Sequence, residues 1–224
     1  MTPALEAIEL ETAPAPDAAV IWLHGLGADG HDFEPVVPEL RLPDAARVRF
    51  VFPHAPVRPV TLNMGMPMRA WYDIYQLGGG REDGDGIRAS QSQVERLIAR
   101  ERARGVAAQR IVLAGFSQGG AIALHTALRH GERLAGILAL STYLPLADAL
   151  AQERSDANGA LPVFMAHGGF DDIIPVERAR QSRARLEALG YPVAWREYPM
   201  PHAVCAPEIA DIAAWLLTRL APSP

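Results

Sequence analysis

Apolar and polar positions along this chain change period repeatedly, and each change marks an element. Ala18-Ala19-Val20-Ile21-Trp22-Leu23 is a continuous apolar run, the pattern of a strand buried on both faces. Val48 to Phe52 repeats the pattern and is closed by Pro53-His54-Ala55-Pro56. Ile111 to Ala114, Leu134 to Leu140, Pro162 to Ala166 and Val193 to Tyr198 read as further strands. Leu5 to Glu11 alternates, as an edge strand does. Ile87 to Arg104 instead places Ile87, Val94, Leu97 and Ile98 at helical spacing under a charged outer face, and Gly105 stops it. Gly120 to Leu128 is an Ala/Leu-rich buried helix, Pro175 to Leu189 is amphipathic and stopped by Gly190, and Pro207 to Leu220 is the last helix. Asp32 is placed to cap a short helix through about Leu40. Val57 to Tyr75 has no clear period, and Gly78-Gly79-Gly80 with Gly84-Asp85-Gly86 marks a flexible loop. After Leu140 a polar, proline-containing excursion runs through Asn158-Gly159.

Strands alternating with helices predict a largely parallel sheet covered on both faces. No repeat, low-complexity stretch or linker interrupts the 224 residues. The chain therefore reads as one α/β domain over residues 1–224.

Chemistry concentrates at Gly115-Phe116-Ser117-Gln118-Gly119. A G-x-S-x-G stretch alone is weak evidence, but here a strand precedes it and a helix follows it. That is the context of a nucleophile elbow, in which a strained turn pushes the serine hydroxyl out over the sheet. A serine is a weak nucleophile without a base, and the base needs an orienting group. On this kind of sheet the order is serine, acid, histidine. Asp171 and Asp172 follow the strand ending at His167-Gly168, and His202 follows the strand ending at Tyr198. His24, His54, His125, His130 and His167 precede the acids and break that order; His202 is the histidine that follows them. An oxyanion hole needs two main-chain N–H groups. Gln118, opening its helix, and Leu26, in the glycine-rich loop His24-Gly25-Leu26-Gly27, are placed to supply them. No H-E-x-x-H or paired ligand spacing occurs, and His202 with Cys205 makes only a single pair, so no metal is expected.

Composition narrows the field further. The net charge of −5 speaks against nucleic-acid or anionic-membrane partners. No apolar run reaches membrane-spanning length. The first residues, Met1 to Glu6, lack a basic region and an apolar core, so a cytoplasmic protein is the expectation. Cys205 is the one cysteine, which rules out an internal disulfide. All 21 basic residues are arginine. That excludes a P-loop lysine, a lysine Schiff base and a kinase strand lysine.

Leu23 to Gly30, Gly115 to Gly120, His167-Gly168-x-x-Asp171, Tyr198-x-Met200-x-His202, Trp71-Tyr72-Asp73 and Leu140 to Tyr143 together resemble the phospholipase/carboxylesterase family. That family includes bacterial carboxylesterases, the branch resembled most, and eukaryotic acyl-protein thioesterases. The resemblance implies an α/β-hydrolase fold, a triad of Ser117, Asp171 and His202, and oxyanion donors at Leu26 and Gln118. It implies no metal and no organic cofactor. It also selects Asp171 over Asp172, which is left to start or cap the following helix. One departure is Pro201, where the family usually has glycine before its histidine; proline stiffens that loop.

The expected activity is that of a serine carboxylesterase acting on short-to-medium acyl esters or thioesters through an acyl-enzyme. A lysophospholipase, an acyl-protein thioesterase and a non-catalytic binding module of the same fold are the alternatives. Leu62, Met66, Met68, Trp71, Leu144 and Ile173 are the candidates for lining the acyl pocket. Trp71 and the Met-rich stretch suit a homodimer interface equally well.

Overall fold

Alternate residues of one strand feed two separate cores. In β2 (Ala18–Leu23), Ala19, Ile21 and Leu23 join one buried cluster while Ala18, Val20 and Trp22 join the other. This is the period-two geometry of a strand covered on both faces. The computed structural model describes residues 5–43, 45–76 and 80–220. The expectations placed on Gly78 and Gly79 lie outside the described residues.

The strands are β1 (Ala7–Glu11), β2, β3 (Val48–Pro53), β4 (Val57–Pro59), β5 (Pro67–Arg69), β6 (Ile111–Phe116), β7 (Gly136–Leu140), β8 (Val163–Gly168) and β9 (Val193–Tyr198). A seven-stranded sheet runs in the order β1-β3-β2-β6-β7-β8-β9. β1 is an antiparallel edge on β3, and every other neighbouring pair is parallel. The helices are α1 (Val36–Glu39), α2 (Gly84–Ala103), α3 (Gln118–Ala127), α4 (Leu150–Glu153), α5 (Val176–Ala188) and α6 (Ala206–Leu220). Val94, Leu97 and Ile98 of α2, Leu124 of α3 and Leu186 of α5 pack on one face; Ile212, Leu216 and Leu220 of α6 pack on the other. This is a single α/β domain, a mostly parallel sheet covered by helices on both faces. No helix among the described residues is long and apolar enough to cross a membrane.

After β2 the chain adds β3 on one side, then β6 on the other. Strand order therefore reverses between β2 and β6, and a crevice opens at their carboxyl ends. His24 and Ser117 follow directly on these two ends.

Three local expectations are corrected. Asp32 does not cap a helix: its own N–H donates to Asp29 O in a turn, and α1 begins at Val36 behind Pro35. Gly84-Asp85-Gly86 is not loop but the first turn of α2, because the Asp83 carboxylate caps it by accepting from Gly86 N. That cap offsets part of the roughly 1 kcal/mol cost of each helical glycine. The aperiodic Val57–Tyr75 stretch contains a two-stranded hairpin, β4 with β5, joined by a 3-10 turn.

Candidate active site

Ser117 alone makes the turn between β6 and α3, at φ 54° and ψ −121°. A left-handed φ on a residue with a β-carbon costs on the order of 1–3 kcal/mol. Neighbouring strands hold the turn. Ser117 N–H donates to Leu140 O at 2.9 Å, and Thr142 Oγ1–H donates to Ser117 O at 2.6 Å. A side chain at Gly115 would collide with the Gly119 main chain, and one at Gly119 would collide with Leu23 O. The two glycines thus let β6, α3 and β2 meet at main-chain distance.

Asp171 lies in the turn after β8 with its side chain fully sheltered. Its Oδ1 accepts from Ile173 N at 3.0 Å and from Ile174 N at 2.8 Å. Its Oδ2 lies 2.7 Å from His202 Nδ1 and 3.2 Å from His167 Nε2. His167 Nε2 also lies 2.7 Å from Ile174 O. Both of its partners are acceptors, which assigns the His167 proton to Nε2, and burial pushes its pKa down. His202 is held by its Nδ1–H on Asp171, which leaves Nε2 with the lone pair. Its ring sits on Phe116, the residue before Ser117, with centroids 4.7 Å apart. The chain before it crosses Gly168 so closely that a side chain there would meet Met200 O and Pro201 O. With Pro201 in place, the His202 contact to Asp171 is short.

Asp172 is exposed and caps nothing: α5 starts at Val176, its N-terminal flank is Pro175, and no side chain caps it. The expected capping role is therefore corrected. The N–H groups of this turn are already taken by Asp171.

The loop after β2 is clamped on both sides of Leu26. Ala55 N–H donates to His24 Nε2 at 3.0 Å, so Nδ1 carries the proton and donates to Gly25 O at 2.7 Å. Burial pushes the His24 pKa down to about 4, which keeps the ring neutral. Trp71 Nε1–H donates to His24 O at 2.9 Å, and Gly27 N–H donates to Arg69 O at 2.9 Å. Leu26 N–H takes no part in these clamps, and Leu26 lines one cleft with Ser117 and Gln118. Gln118 is the first residue of α3, so its N–H has no acceptor within the helix. Its side chain is spent elsewhere, with Oε1 accepting from Trp71 N and Nε2 donating to Tyr72 O, both at 2.8 Å.

The cleft is small, with about 80 Å³ open to a water-sized sphere. Of the residues expected to line it, Ile173 does so. Trp71 and Leu144 are buried in the core beneath, and this corrects their assignment: their apolar area is satisfied by packing, not by an open wall. Leu62 and Met66 are exposed on the 3-10 turn and hairpin side, and Met68 faces Gly27. The walls are built instead by Tyr72, Ile74, Tyr143, Ile174 and Arg178, none of them among the expected lining residues. Tyr72 and Tyr143 stood inside motifs already singled out; nothing local marks Ile74 or Arg178. Among the described residues no group of three or more His, Cys, Asp or Glu side chains is arranged to hold a metal ion.

A family model described as phospholipase/carboxylesterase matches residues 5–220. Acyl-protein thioesterase 1 of Gibberella zeae is 43% identical over 215 residues, covering 92% of this chain and 92% of that protein. Acyl-protein thioesterase 1 of Mycosarcoma maydis is 40% identical over 217 residues, covering 90% of each. The crystal structure of Zea mays acyl-protein thioesterase 2 superposes with a TM-score of 0.86 at 28% identity, covering 96% of this chain and 99% of that one.

Proposed function

Because the chain belongs to the phospholipase/carboxylesterase family and is a hydrolase of ester or thioester bonds, we propose that it works as a serine hydrolase through an acyl-enzyme on Ser117. His202 Nε2 takes the hydroxyl proton as Oγ attacks the carbonyl carbon. Leu26 N–H and Gln118 N–H stabilise the oxyanion. His202 then gives the proton to the departing alcohol or thiol, and water repeats the sequence to release the acid. Asp171 holds the ring by Nδ1 and stabilises the imidazolium. The observation that carries this reading is the 2.7 Å contact of His202 Nδ1 with a buried carboxylate, beside a one-residue elbow bearing a serine.

Short-to-medium acyl chains are the proposed substrates, in keeping with a small cleft walled by isoleucine and tyrosine. The names of the relatives favour a second reading, in which the leaving group is a thiol. The test is hydrolysis of p-nitrophenyl butyrate and of a butyryl thioester by the parent and by Ser117→Ala. Turnover lost in the variant supports the nucleophile, and the kcat/KM ratio of the two esters separates the leaving groups. A parent that binds esters without turnover or fluorophosphonate labelling would be a binding module, and the proposal would fall.

A further inference from the structure

We propose that Arg178 makes the cleft a binding site for acyl chains that end in a carboxylate, so that half-esters of short dicarboxylic acids are favoured substrates. The proposal rests on Ser117 being the acylated residue. Among the described residues lining the cleft, Arg178 alone carries a full charge; its other walls are apolar, amide or hydroxyl. Arg178 sits in the first turn of α5, its N–H donating to Pro175 O at 2.9 Å, directly after the turn that holds Asp171. Its position is therefore tied to the site.

The guanidinium sits over Tyr143, with its central carbon 3.3 Å from the ring centroid. Tyr143 is itself fixed, its hydroxyl 2.8 Å from that of Tyr72, and burial raises the pKa of both phenols, which keeps them neutral. The platform beneath the charge is thus rigid and uncharged. Arg178 also reaches the Tyr143 hydroxyl, and the five N–H donors of a guanidinium leave others for a carboxylate.

The acids nearby are largely committed elsewhere. Glu82 pairs with Arg178 only at 4.0 Å, beyond hydrogen-bond distance, and its Oε2 accepts from Leu146 N at 3.0 Å. Asp73 accepts from Thr61 N and Thr61 Oγ1, and Asp83 from Gly86 N and Asp73 N. The Arg178 side chain keeps only 25% of its exposure, so a carboxylate reaching it is less screened than one in bulk water. An acyl stem would run along Ile74, Ile173 and Ile174 with its terminal carboxylate at Arg178.

The experiment compares p-nitrophenyl valerate with mono-p-nitrophenyl glutarate, two esters of equal acyl length that differ in the terminal group. Ser117→Ala serves as the blank for spontaneous half-ester hydrolysis. Arg178→Met is expected to lower kcat/KM for the glutarate by about ten- to a hundredfold, the range of a charge-assisted hydrogen bond, and for the valerate by no more than about threefold. Arg178→Lys restores part of the loss. Free glutarate inhibits valerate hydrolysis competitively in the parent and more weakly in Arg178→Met, and added salt erodes the difference. Equal losses on both esters would make Arg178 a mere support for Tyr143, and no loss on either would leave it without a role; each overturns the proposal. Valerate turnover abolished by Ser117→Ala upholds the underlying mechanism whatever Arg178 does. A parent inactive on both esters sinks the two together.

Discussion

His167 and His202 converge on one oxygen, Oδ2 of Asp171, at 3.2 and 2.7 Å. The other oxygen holds the main-chain N–H groups of Ile173 and Ile174. Three hydrogen-bond donors, Ile173 N, Ile174 N and His202 Nδ1, thus hold one buried carboxylate, with the His167 ring close by, and it cannot turn without breaking several hydrogen bonds. His202 is oriented by a group that is itself fixed by two main-chain N–H groups.

Asp171→Asn is expected to lose kcat by as much as ~10⁴-fold, since an amide in that position favours the wrong imidazole tautomer. Asp172→Asn is expected to change kcat less than about twofold and stability by no more than about 0.5 kcal/mol, because Asp172 is exposed and caps no helix. Steady-state kinetics and thermal midpoints of both variants check the pair. A larger kcat loss at Asp172 would show that the wrong acid has been chosen.

The backbone at Ser117 separates strain from chemistry. Ser117→Ala and Ser117→Gly should both abolish ester hydrolysis. Glycine alone relieves the left-handed φ of 54°, so Ser117→Gly should melt above Ser117→Ala, by an amount on the order of 1 kcal/mol. Differential scanning calorimetry of the two inactive proteins makes the comparison, and a lower midpoint for the glycine variant would refute the strain assignment.

Gln118 has two separable parts. Gln118→Ala keeps the main-chain N–H that is proposed to face the oxyanion, but leaves Trp71 N and Tyr72 O without their buried partner. The expected result is a stability loss of about 1–3 kcal/mol with kcat reduced less than tenfold. Removing an oxyanion donor itself costs about 10²–10³-fold. A loss of that size, measured in a folded variant, would mean that the side chain and not the N–H acts on substrate.

Glu208, in the first turn of α6, is fully buried, and burial pushes its pKa up to about 8. Its ordinary value is 4.5. Between these values the folded chain holds a proton that the unfolded chain releases. The contribution of Glu208 to stability is therefore intact below about 4.5 and is lost as pH rises towards about 8. Its slope is at most about 1.4 kcal/mol per pH unit. Glu208→Gln removes the dependence. Subtracting the two stability curves from urea melts cancels the opposite, acid-side effect of buried His24 and His125, whose lowered pKa values destabilise the fold as pH falls below their ordinary 6.5. A parent-minus-variant difference that stays flat from pH 5 to 8 would count against a protonated Glu208 in the folded protein.

What the sequence determined by itself was local or periodic. β2 and β9 have the predicted limits because an unbroken apolar or β-rich run bounded by turn residues needs no distant partner to be recognised. The order of Ser117, Asp171 and His202, each just after a strand, was legible for the same reason. Where the chain departs from that reading, distant residues decide. Asp83 turns a glycine-rich stretch into the start of α2 by also taking the N–H of Asp73. Trp71 reads as a pocket wall in one dimension, yet its ring is buried and its indole N–H is spent on His24 O, 47 positions away. Arg178 reads as one more charge on an amphipathic helix. Only the seating of its guanidinium over Tyr143, from a different strand's loop, puts that charge in the cleft with Ser117. Such pairings rest on which side chains meet across the sheet edge, and hydrophobic periodicity carries no record of that.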